Sequence, residues 1–150
     1  MTPRNPWLIV GGWLSLAASL LHIGCIIGGA DWYRFFGAGE PVARAAERGE
    51  LWPHLLTLAI ATILAIWAAY AFAGAGMIRR LPLMRTALVL ISLIYLARGL
   101  MIVSPASFTE PGGSTSFMFW SSLVVLIYGV IYALGTWRAW PSLTRKESIA

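Results

Sequence analysis

Charge is what this sequence has least of. Of its 150 residues only 11% are charged, against about a quarter in an ordinary soluble domain. Hydrophobic residues make up 59%, more than the interior of a soluble fold this size can hide. That imbalance excludes a water-soluble globular domain and makes a bilayer the expected solvent. Cysteine is nearly missing too. The single Cys25 rules out an internal disulfide and any CxxC redox or metal motif. Within an apolar run it is expected to act as a small hydrophobe. Low-complexity tracts and internal repeats are lacking, and no apolar run is broken at its centre by proline. Both absences count against a stand-alone transporter built from inverted repeats.

What is present is four apolar runs. A spanning helix needs about 20 such residues, and the sequence predicts spans over Trp7–Gly29, Leu51–Met77, Met84–Val103 and Ser116–Trp137. Leu81-Pro82-Leu83 reads as a tight turn between the second and third. Ser104-Pro105 stops the third, and Pro111-Gly112-Gly113-Ser114 continues a loop. None of the runs shows the period-two alternation of membrane strands. The first run is longer than a signal-peptide core, with only Arg4 before it, so it is expected to be retained. The fold class is therefore expected to be all-α, an antiparallel four-helix membrane bundle formed as one domain.

The placement of charge matters more than its sum of +5, which in a soluble protein would suggest a nucleic-acid partner. Here no nucleic acid is expected. Arg4, Arg79, Arg80, Arg85, Arg138, Arg145 and Lys146 fall on one side of the spans. Arg34, Arg44 and Arg48 fall on the other, diluted by Asp31, Glu40, Glu47, Glu50 and Glu110. The positive-inside bias makes the first side cytoplasmic, with both termini there. Trp7, Trp137 and Trp140 would form the inner aromatic belt, and Trp32 and Trp52 the outer one.

The outer segment 31–49 is too polar to span and too patterned for random loop. Asp31 suits the N-cap of a short turn over Trp32–Phe36, which Gly37 ends. Pro41 suits the first position of a second turn running to Gly49, supported by the Glu40–Arg44 pair at i,i+4. The whole reads as an interfacial amphipathic helix, acting either as an anchor or as a lid.

Small and polar side chains recur at helical spacing inside the spans, as helix packing in lipid requires. The stripes are Gly12, Ser15, Ser19 and His22; His54, Thr57, Ala61, Ala65, Ala68 and Ala75; Ser92, Tyr95 and Gly99; and Ser121, Tyr128, Tyr132 and Gly135. At 1.5 Å per residue, His22 lies about 10 Å from the outer end of its span and Arg98 about 7 Å from its own. His54 falls in the first turn of the second span. An ionisable residue at such depth is a functional hypothesis. His22, His54, Arg98 and Tyr95 are thus expected to line an outer-leaflet pocket that Asp31 and Glu50 reach from the lid. Each has a structural role open to it as well. Arg98 would snorkel outward or pair with Glu50, and the histidines would satisfy neighbouring carbonyls.

Three functions follow from these residues. The first is a pocket that binds, and in one version modifies, an amphipathic small molecule or lipid, with Arg98 on its head and the histidines orienting it or moving protons. The second is a metal or haem site with His22 and His54 as ligands. The third is an accessory subunit, as a homodimer or against a larger membrane partner, packing through its small-residue faces. The cofactor and the question of catalysis are left open by the residues.

The stretch Leu21-His22-Ile23-Gly24, followed by Gly28-Gly29-Ala30-Asp31-Trp32-Tyr33-Arg34-Phe35-Phe36-Gly37-Ala38-Gly39-Glu40, resembles small bacterial four-helix inner-membrane proteins. That resemblance implies topology and location but no activity. A histidine late in the first span, a long first outer loop and a short basic turn between spans two and three also resemble the sterol isomerase and sigma-2 receptor (EXPERA) superfamily. Its members bind sterols or related amphiphiles in an intramembrane pocket lined by carboxylates. In this chain no carboxylate lies within an expected span, so the resemblance implies the pocket rather than the isomerase chemistry.

Overall fold

A computed structural model describes residues 4–103 and 115–144, and these are helical with no strand among them. The expected loop at Ser104-Pro105 and Pro111–Ser114, together with Glu110, Arg145 and Lys146, lies outside the described residues. In chain order the helices are α1 (Pro6–Phe35), α2 (Glu40–Glu47), α3 (Trp52–Gly74), α4 (Met84–Leu100), continued by a 3-10 turn at Met101–Val103, and α5 (Thr115–Thr144). Four of them are long and apolar enough to cross a membrane.

Local chemistry explains most of the boundaries. Asn5 caps α1, its Oδ1 accepting from the Trp7 and Leu8 amides, while its Nδ2 donates to the Gly135 carbonyl at 2.7 Å and ties the cap to α5. α3 ends three residues short of the expected Met77. The Gly76 amide reaches back to Ala73 and the Met77 amide to Phe72, a closing pattern that needs a left-handed residue, and Gly76 supplies it at φ 74°. The same pattern, centred on Gly37 and Gly49, ends α1 and α2. α5 runs seven residues beyond the expected Trp137, because Pro141 falls in the last turns, where a lost amide bond does not stop the helix.

One boundary departs from the sequence reading in kind. The break in α1 is at Gly29 (φ 67°, ψ −150°), and helix resumes on its far side through Phe35. Asp31 therefore sits within the resumed helix instead of capping a separate turn. The cause lies in the Gly28-Gly29 pair: Gly29 takes a backbone conformation closed to other residues. The Trp32 indole folds back over Gly24 and Gly28, where a Cβ on Gly28 would come within 2.2 Å of it.

The helices pair chiefly as α1 with α3 and α4 with α5. Along α1, Leu8 meets Gly74, Gly12 meets Phe72, Ser19 meets Ala61, and Tyr33 meets His54. Along α4, Leu96 meets Gly129, Arg98 meets Ser122, and Gly99 meets the Leu126 backbone. Of the small-residue stripes expected from the sequence, Gly12, Ser19, His54, Ala61 and Gly99 take part in these contacts, while Gly74, Gly129 and Ser122 stand outside the stripes. Ser15, Ser19, Thr57, Ala61, Ala68, Ser92 and Tyr95 are all buried. On α5 the buried serine is Ser122, one position after the expected Ser121.

Candidate functional site

Two polar assemblies occupy this framework. The first lies in the middle of the bundle and is fully bonded. Ser15 Oγ shares hydrogen bonds with the hydroxyls of Tyr95 (2.9 Å) and Tyr132 (2.7 Å). Tyr132 also reaches the Trp67 carbonyl and Tyr128 the Leu14 carbonyl. Trp67, Tyr128 and Tyr132 rings pack against Tyr95 at 4.9 to 5.6 Å. Tyr95 was expected to line a pocket. It is instead a satisfied member of this aromatic core, 6% exposed.

The other expected site residues are dispersed. His22 Nδ1 bonds the Ala18 carbonyl of its own helix at 2.7 Å. Arg98 donates to Ser122 on α5. His54 packs its ring edge-on to Tyr33 at 6.0 Å. No hydrogen bond or ion pair joins any two of these three among the described residues. The lid carboxylates pair with the lid's own arginines rather than reaching inward. Asp31, with its side chain 94% exposed, lies 3.6 Å from Arg34, and Glu50 binds Arg48 and the Trp52 indole. These partners sit within four residues along the chain. No group of three or more metal-ligating side chains gathers among the described residues.

The second assembly lies where the end of α1, the short α2 and the start of α3 meet. Cys25, Tyr33 and Ala43 form a small core there, covered by Ala30, Phe36, Val42 and Ala46. Tyr33 is 2% exposed, yet its hydroxyl has no hydrogen-bond partner. His54 Nδ1 is likewise buried and unpartnered. A buried donor or acceptor left unpaired costs about 1–3 kcal/mol, so two on adjoining rings are a marked exception when the other buried hydroxyls among the described residues are bonded.

Sequence reasoning named His54 and passed over Tyr33. Cys25 and Tyr33 lie on opposite sides of the Gly29 break, and both are buried in this core.

Above this core Arg34 acts as a clasp. It reaches Glu40 (3.0 Å) and Glu47 (2.7 Å) at the two ends of α2, and Glu40 also holds Arg44. The hydrogen bonds from Arg34 and then Arg44 hold the Glu40 carboxyl down to about 2, and Arg34 holds Glu47 below its usual range. Arg34 and Arg44 are thus both matched by carboxylates of α2. A carboxylate whose folded-state value is depressed contributes stability above its unfolded value, about 4.5 for Glu40, and loses it as pH falls toward about 2. Hydrogen-exchange protection of α2 amides, corrected for intrinsic rates, is expected to fall across that window while mid-α3 amides keep theirs. Parallel behaviour of the two helices would contradict the clasp.

No family model, curated protein or solved structure matches the chain, so the comparisons add no support to the likeness with sterol isomerases.

Proposed function

We propose that the chain is an integral membrane protein, an antiparallel four-helix bundle that binds an amphipathic small molecule or lipid in the outer leaflet. The contact pairs support the antiparallel reading: partner numbers on α3 fall as numbers rise along α1, and Ser92, Leu96 and Gly99 of α4 meet Thr136, Gly129 and Leu126 of α5 in turn. Arg4, Arg79, Arg80, Arg85 and Arg138 at the other end support cytoplasmic termini. A bacterial inner membrane rests on the sequence resemblance alone.

The single observation that carries the binding role is the pair of unpartnered buried atoms, Tyr33 Oη and His54 Nδ1. A hydroxyl donates and accepts, and a neutral imidazole nitrogen does one or the other according to tautomer. With Arg34 and Arg44 matched by carboxylates, the polar end that suits this pair is neutral, a hydroxyl or carbonyl, and the apolar remainder lies against the lipid-facing helices. This moves the site from the expected His22–His54–Arg98 triangle to the junction of α1, α2 and α3.

Native mass spectrometry of the purified full chain tests the reading. The wild type is expected to carry a stoichiometric non-protein mass, extractable into organic solvent. Tyr33→Phe is expected to lower its occupancy about tenfold, the loss of about 1.4 kcal/mol from one hydrogen bond. The same variant should unfold no more readily than the ligand-free wild type, because it removes an unsatisfied hydroxyl. Equal occupancy in both proteins, or no bound mass in either, would overturn the assignment.

A further inference from the structure

Five arginines lie within helices among the described residues: Arg34, Arg44, Arg85, Arg98 and Arg138. Arg34 and Arg44 have carboxylate partners. Arg85 lies over the Trp140 ring at 4.5 Å and Arg138 over the Trp7 ring at 5.4 Å. Arg98 alone of the five has neither kind of partner. It is half-buried in the last turn of α4, and its one hydrogen bond runs from Nη1 to Ser122 Oγ at 2.9 Å.

Ser122 is 1% exposed, so this bond is fixed inside the α4–α5 seam. Next to it that seam is at its tightest, for a Cβ on Gly99 would meet the Leu126 backbone at 2.5 Å. The guanidinium is therefore pinned along one edge by a buried hydroxyl, and its Nε and Nη2 donors have no partner among the described residues. A cation at membrane depth without a counter-charge is costly. It lies about 7 Å from the end of its span, within reach of the headgroup layer. The free edge of a guanidinium matches two oxygens of a phosphate.

We propose that Arg98, positioned by Ser122, seats a phosphate-type oxyanion at the α4–α5 edge, and that an anionic lipid headgroup supplies it. The seat is separate from the Tyr33–His54 site, which takes a neutral group, and neither depends on the other. Its charge and its buried pin distinguish it from an arginine that merely snorkels, since a freely snorkelling chain would not need Ser122.

The full chain in a neutral detergent is titrated with short-chain phosphatidylglycerol, with phosphatidylcholine of the same chain length, and with inorganic phosphate as competitor. Wild type is expected to bind phosphatidylglycerol at least tenfold tighter than phosphatidylcholine. Arg98→Gln should abolish that preference and Ser122→Ala should reduce it several-fold, while Arg85→Gln at the opposite end leaves it intact. Competition by millimolar inorganic phosphate would keep the oxyanion seat and assign its occupant to solution; failure to compete supports the lipid. Should Arg98→Gln fail to fold, Ser122→Ala, which retains the charge, decides the matter. An unchanged preference in Ser122→Ala and in any folded Arg98 variant, or no preference in wild type, would overturn the proposal.

Discussion

Gly99→Leu is expected to unseat α4 from α5 and to lower the unfolding free energy by about 3 kcal/mol, the upper end of overpacking costs. The magnitude follows from what the new atoms would strike. At Gly99 the obstacle is the Cα and N of Leu126, at 2.5 and 2.6 Å, and backbone cannot rotate away. A Cβ on Gly129 would meet the Leu96 amide nitrogen at 2.8 Å, so each helix uses a glycine to admit the other. In lipid such close approach supplies the dispersion contacts that hydrophobicity cannot. Gly12 is an instructive contrast, because a Cβ there meets only the Phe72 ring, which can turn. Gly12→Ala should therefore cost clearly less. Denaturant titration in mixed micelles checks both, and a Gly99→Leu protein within about 0.5 kcal/mol of wild type, the range of a neutral surface change, would contradict the packing.

Ser15→Ala should be the next most damaging, at about 1–2 kcal/mol. Its hydroxyl is shared by two buried tyrosines, which do not suffer equally. Tyr132 keeps the Trp67 carbonyl at 3.3 Å, but Tyr95 loses its hydrogen bond and is left unpaired in an apolar setting. Tyr95→Phe removes the same bond while taking the needy group with it, and Ser15 still has Tyr132. Ser15→Ala is thus expected to be the worse of the two. If Tyr95→Phe proved the more harmful, the network would owe its stability to ring packing instead of hydroxyl sharing.

The comparison of sequence with structure turns on which signals are periodic. Four long helices were legible because apolar runs of membrane length have few other uses. The inward faces were legible because Ser15, Ser19, Thr57, Ala61, Ser92 and Tyr95 repeat every three or four residues. What escaped was non-periodic. The Gly29 kink depends on a single backbone angle that Gly28-Gly29 permits but does not announce. Beyond that kink Tyr33 is buried against Ala43 of α2, which is where the proposed site falls. The deep polar residues stand out in the sequence, but depth along a helix says nothing of azimuth. His22 folds back on Ala18, and Arg98 turns to Ser122. The lid's pattern of charges was visible too. Its use was not, since Arg34 clasps both ends of α2 from a neighbouring helix.

An experimentally phased map of the full chain, purified gently from its membrane, tests most directly whether the Tyr33–His54 junction holds a ligand. Density larger than a water, within hydrogen-bond distance of both Tyr33 Oη and His54 Nδ1, is the predicted result. A lone ordered water bridging those two atoms, or a direct bond between them with no third group, would contradict it.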